Sequence, residues 1–335
     1  MTSNVPSITD QFSDARVLIT GGLGFIGSNL AHRLVELGAE VTLVDSLVPE
    51  YGGNSFNVVD IKDRLHINIA DVRDPHSIQH LVQNHDFLFN LAGQTSHLDS
   101  MSDPYVDLDI NCRAQLSILE ACRDCQPDIR VVFASTRQIY GKPDYLPVDE
   151  KHLLRPVDVN GINKMAGEWY HVLYHNVYGI RTCALRLTNT YGPRMRIKDS
   201  RQTFLGIWIR RILEGDSIEV WGGEQKRDFT YVDDACDAML LCAVNEQAWG
   251  KVFNLGGECV VTLQQLARWL IEANDGQGEF SLREFPAERK RIDIGDYYAD
   301  DALIREMIGW KTRVSLQEGL HRTVQYYRQH LAQYV

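Results

Sequence analysis

The sequence holds no apolar run approaching the roughly 20 residues that a membrane-crossing helix requires, so a bilayer is not an expected environment. Nor is there an excess of basic charge: 34 Lys and Arg face 45 Asp and Glu, a net charge of −11. That balance argues against nucleic acid or an anionic membrane surface as the main partner, while leaving room for a local basic pocket. Cysteine supplies no framework of pairs. The seven cysteines are scattered, and an odd count without an export signal in MTSNVPSITDQFSDAR implies reduced thiols in the cytoplasm. The one close pair, Cys122 and Cys125, lacks a second pair or a histidine at ligand spacing and reads as packing rather than as zinc. His76, His80 and His85 read as a solvated helix face. Internal repeats, low-complexity runs and Pro/Gly/Ser linkers are also missing, so any second region should dock tightly on the first.

What is present is a rhythm. The 335 residues are ample for a large core in one or two domains. From Arg16 onward, RVLIT, EVTLVD, LHINIAD, DFLFNLAG, RVVFAST and RTCALRL are β-branched or aromatic runs of strand length. Helix-like stretches alternate with them: GFIGSNLAHRLVELG, PHSIQHLVQN, Pro104 to Arg123, and Asn160 to Tyr178. Strands apolar throughout and separated by helices predict a Rossmann-type, doubly wound α/β fold with a parallel sheet covered on both faces. After Asn189 shorter strands and helices follow, predicting a smaller α/β region. The expected division is 15–188, with contributions from about 228–256, against 189–227 and 257–335.

The first strand runs directly into glycines at 21, 24 and 27 and then into a helix. Gly21 permits the tight turn, Gly24 lets backbone approach a pyrophosphate, and Gly27 lets helix and strand pack closely. The amides at that helix start are suited to phosphate. Asp45 ends the second strand, where a carboxylate accepts from a ribose 2′-hydroxyl and repels a 2′-phosphate. NAD is therefore expected in preference to NADP.

TGGLGFIG, NLAGQTSHLDS, ASTRQIYG, NGINK, RLTNTYGP, RDFTYVDD and FNLGG occur in this order. Together they resemble the extended short-chain dehydrogenase/reductase family, in its nucleotide-sugar epimerase and dehydratase branch. The resemblance spans roughly Arg16 to Leu331. It implies an NAD-binding domain, a smaller domain for a nucleoside-diphosphate sugar, and a homodimer formed through the long helices. It implies that Gly21, Gly24, Phe25, Ile26 and Gly27 hold the diphosphate of the cofactor, with Asp71 and Val72 beside its adenine. Leu91, Ala92 and Gly93 would lie under the cofactor, supported by Asn111. Lys164 would hold the nicotinamide ribose, and Thr188 would flank the nicotinamide. Thr136 would bond the sugar 4-hydroxyl. Asn189, Thr203, Phe204 and Arg227 would contact the sugar nucleotide.

Three departures qualify this. Arg137 and Gln138 stand where dehydratases of the family carry an Asp-Glu pair. Arginine stays charged and glutamine does not titrate, so the usual elimination of water lacks its acid and base. Gly295 stands where many members place a second phosphate-binding arginine, leaving Arg289, Lys290 or Arg291 to compensate, Arg291 being the named candidate. Asn160 occupies the place of the family's tyrosine, the group that takes the sugar hydroxyl proton. General-base help of that kind is worth about 10²–10⁴-fold. Several readings stay open: Lys164 as the substitute base, aided by Thr136 or water; a proton acceptor among His97, Tyr105 or Tyr191; a substrate that arrives already oxidised; or a non-catalytic binding protein. Epimerisation leads, with dehydration or decarboxylation behind it. The role of Asp45 is testable by fluorescence titration: NAD should bind at least about tenfold more tightly than NADP, because a carboxylate repels the 2′-phosphate. Equal affinities would reverse the assignment.

Overall fold

The structure, a computed structural model, describes residues 8–199, 201, 203–285 and 294–335. The apolar runs become β1 (Arg16–Thr20), β2 (Glu40–Asp45), β3 (Leu65–Ile69), β4 (Phe87–Asn90), β5 (Arg130–Thr136) and β6 (Arg181–Leu187). They are followed by β7 (Asn189–Tyr191), β8 (Ile218–Trp221), β9 (Lys226–Tyr231), β10 (Val252–Leu255), β11 (Val260–Thr262) and β12 (Phe280–Arg283). Seven of these form one parallel sheet in the order β10-β6-β5-β4-β1-β2-β3. β1 and β4 are buried almost throughout, as expected for strands covered on both faces. Strand order reverses between β1 and β4, and a crevice opens there at the carboxyl ends, the usual ligand position in such sheets.

The remaining strands form two small sheets, β11-β9-β7 and β12-β8. β7 and β11, three residues each, have no pattern of their own. They become strands only because β9 lies between them. The chain returns to the large sheet at β10, which pairs with β6, so the two regions are laced together.

One expected helix is interrupted. The stretch from Pro104 folds as the helix Pro104–Leu108, a π-helical turn Asp109–Arg113, and the helix Ala114–Cys125. The wider turn carries Asn111, whose side-chain amide donates to the Gln94 carbonyl at 2.9 Å. Such turns concentrate at functional sites.

The helix Val159–Tyr178 is capped by Asp158 and ends on Gly179 in the left-handed conformation. A buried ion pair fixes it to the sheet: Arg186 of β6 meets Glu168 at 2.6 Å and 3.0 Å. Arg186 also donates to the Tyr140 hydroxyl at 2.6 Å, and Ser135 donates to Glu168 at 2.6 Å. Removing one member of such a pair strands the other charge in the interior. Arg186→Met should therefore cost roughly 3–5 kcal/mol in urea unfolding. A loss below about 1 kcal/mol would show that solvent reaches Glu168.

Candidate functional site

The turn after β1 is built by close approach. The Gly21 amide donates to the Val44 carbonyl at 2.8 Å, and a Cβ on Gly27 would fall 2.3 Å from the Gly21 carbonyl oxygen. The helix Phe25–Glu36 starts on Gly24 with no side-chain cap, leaving its first amides for an anion. Asp45 ends β2 with its carboxylate held by the amides of Leu23 at 3.0 Å and Leu47 at 2.9 Å. Burial raises its pKa against the pull of those two bonds, and further lone pairs remain for ribose hydroxyls.

These groups line one cavity of about 250 Å³. Gly21, Gly24, Phe25, Ile26, Gly27, Asp45, Asp71, Val72, Leu91, Ala92, Gly93, Asn160, Lys164 and Thr188 all reach it. Asn111 stands behind it: a Cβ on Gly93 would lie 2.9 Å from both Asn111 Oδ1 and Lys164 Nζ. Asn111 Oδ1 is buried without a partner. Arg73 lines the same cavity, paired with Asp71 at 2.6 Å; the hydrogen bond from Arg73 holds the Asp71 carboxyl below its usual range. An arginine there was not anticipated.

A second cavity, of about 570 Å³, adjoins the first. Thr136, Gln138, Thr188 and Thr190 line both and mark the junction. The second cavity brings together the expected Asn189, Thr203, Phe204 and Arg227. The Arg227 guanidinium donates to the Lys226 carbonyl at 2.9 Å and to the carbonyl of Gly295, so the residue in the place of a second arginine helps aim the first. Thr203 caps the helix Phe204–Glu214, accepting from the Leu205 amide at 3.3 Å. Arg137, Arg201, Arg211, Trp208, Trp221 and Phe285 complete a cationic and aromatic wall that no motif brings together. Arg289, Lys290 and Arg291 lie outside the described residues.

The first turns of the helix Val159–Tyr178 hold Asn160, Asn163 and Lys164. Asn160 points its amide at the Gln94 carbonyl and Asp107 Oδ2, each at 2.8 Å. Asn163 donates to Asp107 Oδ1 at 2.8 Å. Asp107 is fully buried, so both asparagines serve a carboxylate that would otherwise lack partners. Lys164 is buried too, donating to the Ala134 carbonyl at 3.1 Å. Burial pulls its pKa down to about 8, with Asp107 opposing. Of the three candidates on other loops, Tyr105 is 76% exposed. Tyr191 is buried, donating to the Leu316 carbonyl at 3.2 Å. His97 alone reaches the sugar-side cavity. Its Nδ1 meets Asp158 Oδ2 and its Nε2 meets the Gln138 side-chain amide.

The sequence profile of the NAD dependent epimerase/dehydratase family matches residues 17–256. The chain belongs to this family. Its cofactor is NAD, and the glycine turn, the uncapped helix start, Asp45 and the polar pair Asn111 and Lys164 fit that dinucleotide. A Methanocaldococcus jannaschii protein with the provisional name UDP-glucose 4-epimerase is 33% identical over 313 residues, covering 92% of this chain and 97% of its own. A Bacillus cytotoxicus UDP-N-acetyl-alpha-D-glucosaminuronate decarboxylase is 31% identical, covering 94% of this chain and 98% of its own. The crystal structure of a Thermotoga maritima UDP-glucose 4-epimerase with UDP-glucose superposes with a TM-score of 0.85 at 29% identity, covering 94% of this chain and 99% of its own.

Asp107 and the Asp158–His97 contact were not legible in sequence. Neither aspartate falls in a motif that marks it, because the partners Asn160 and His97 lie 53 and 61 residues away in the chain. The buried Lys164 has a thermodynamic signature. Below about pH 8 both the folded and unfolded chains hold its proton, and the full cost of burying the charge is present. Between about 8 and the ordinary 10.5 only the unfolded chain holds it, so stability rises with pH across that window. Lys164→Met should be more stable than wild type at pH 7 by roughly 1–3 kcal/mol, and the gap should close toward pH 10 in chemical denaturation. A gap constant with pH would mean that the lysine is not desolvated.

Proposed function

We propose that this chain is an NAD-dependent nucleotide-sugar epimerase that works by transient oxidation of the sugar, with its proton-transfer group away from position 160. The observation that carries this is the junction of the two cavities. A dinucleotide cradle meets a cationic, aromatic cavity of small-molecule size across Thr136, Gln138, Thr188 and Thr190. Bound NAD supplies reversible hydride acceptance. The protein's residues supply the rest: Lys164 holds the ribose side, Thr136 bonds the reacting hydroxyl, and Arg227 with Asn189 and Thr203 grips the diphosphate. Phe204 packs against the base. Residues 15–188 with about 228–256 carry the cofactor, and 189–227 with 257–335 carry the sugar nucleotide.

Arg137 and Gln138 favour epimerisation over dehydration, since neither can exchange a proton near neutrality. Decarboxylation is the second reading. The arginines of the sugar-side cavity would suit a uronate carboxylate, and the Bacillus cytotoxicus relative carries that name. Homodimer formation is supported by Ile162, Trp169, Leu173 and Val177, large apolar residues left exposed along one helix.

Incubation with UDP-, dTDP-, GDP- and CDP-sugars, followed by NADH fluorescence and product analysis, tests the reading. An epimer of unchanged mass with transient NADH is expected. Release of carbon dioxide would select the second reading, and no conversion of any sugar would leave a binding protein.

A further inference from the structure

We propose that His97, backed by Asp158, is the group that takes and returns the sugar hydroxyl proton in place of the missing tyrosine. The inference rests on the epimerase reading above and assigns the residue that reading leaves open.

Asp158 is buried at the cap of the helix Val159–Tyr178. One carboxylate oxygen accepts the Gly161 amide at 2.7 Å and the other accepts from His97 Nδ1. Although burial opposes the charge of Asp158, the hydrogen bond and charge of His97 hold its pKa below the usual carboxylate range. A carboxylate at Nδ1 fixes the tautomer, leaves the Nε2 lone pair as acceptor, and stabilises the imidazolium that forms when Nε2 takes a proton. His97 opens the helix His97–Ser102, which Ser96 caps, and its side chain is 40% exposed where it lines the sugar-side cavity.

Gln138 connects this pair to the reacting centre. It lines both cavities, its Nε2 meets His97 Nε2, and its Oε1 is buried without a partner. The Gln138 amide covers the single lone pair of His97 Nε2, so the sugar hydroxyl reaches Nε2 by displacing that amide. The other titratable groups are worse placed. Lys164 lines only the cofactor cavity and is bonded to the Ala134 carbonyl. Asp45, Tyr51, Asp71 and Arg73 line the cofactor cavity alone. In the sugar-side cavity Glu219 is paired with Arg283 at 3.3 Å, and arginines hold their protons.

In the forward half-reaction the sugar O–H bond breaks and its proton goes to His97 Nε2. The electron pair of the neighbouring C–H bond leaves with hydrogen to the nicotinamide, and C=O forms. Return of hydride to the opposite face and of the proton from Nε2 completes inversion with no net oxidation.

The test uses whichever of UDP-glucose, UDP-N-acetylglucosamine and dTDP-glucose the wild type converts. His97→Gln should lower kcat by about 10²–10⁴-fold while NAD affinity by calorimetry is unchanged, and added imidazole should partly restore a His97→Gly variant. Asp158→Asn, which keeps a capping side chain, should lower kcat less. Independently of turnover, diethyl pyrocarbonate labelling mapped by mass spectrometry should be slowed at His97 by the sugar nucleotide and unaffected at the exposed His76 and His80. A His97→Gln enzyme within about tenfold of wild type, or labelling at His97 indifferent to the sugar nucleotide, overturns the assignment and leaves the epimerase reading intact. A wild type that converts no nucleotide sugar overturns that reading, and the proton role with it.

Discussion

The position of one helix against one sheet underlies the whole site. Glu168 and Arg186 are both buried, joined by two hydrogen bonds, and extended by Ser135 and Tyr140. Charges out of water tolerate little displacement, because separation leaves each without solvation or partner. The helix Val159–Tyr178 is therefore pinned to β5 and β6 near its middle. Phe133 stacked on His171, with ring centroids 4.3 Å apart, adds a second tie. Everything chemical on its first turns, from Asp158 to Lys164, inherits its place from those contacts.

Given that anchor, Asn160, at the position where the resemblance implies a tyrosine, is a hydrogen-bond partner of buried Asp107. Asp107 is buried on a neighbouring helix, and a carboxylate there must be satisfied. Asn160 and Asn163 supply one amide hydrogen bond to each of its oxygens. The same turn of helix points Lys164 inward and sets Asp158 at the cap, within reach of His97. The Asn160 amide is committed to the Gln94 carbonyl and to Asp107.

Much of the site was legible in order along the chain. The cradle glycines, Asp45, Thr136, Thr188 and Asn189 sit in compact motifs next to strand ends, and local geometry carries them to the crevice once the strands pair, whereas Lys164 comes from the helix Val159–Tyr178. The three-residue strands β7 and β11 were not legible, since only pairing with β9 makes them strands. The π-helical turn at Asp109–Arg113 has no signature in the sequence, because nothing in its composition forbids regular turns.

The sequence by itself determined the fold class, the dinucleotide cradle and the absence of a titratable group at position 160. These follow from periodicity, from glycine's tolerance of close approach, and from the identity of one side chain. Tertiary structure alone decided that Asp107 is buried, that Lys164 is desolvated, and that His97 meets Asp158 across 61 residues of chain. Those outcomes depend on which surfaces the packed helices bring together, and burial and electrostatic coupling do not exist until they do.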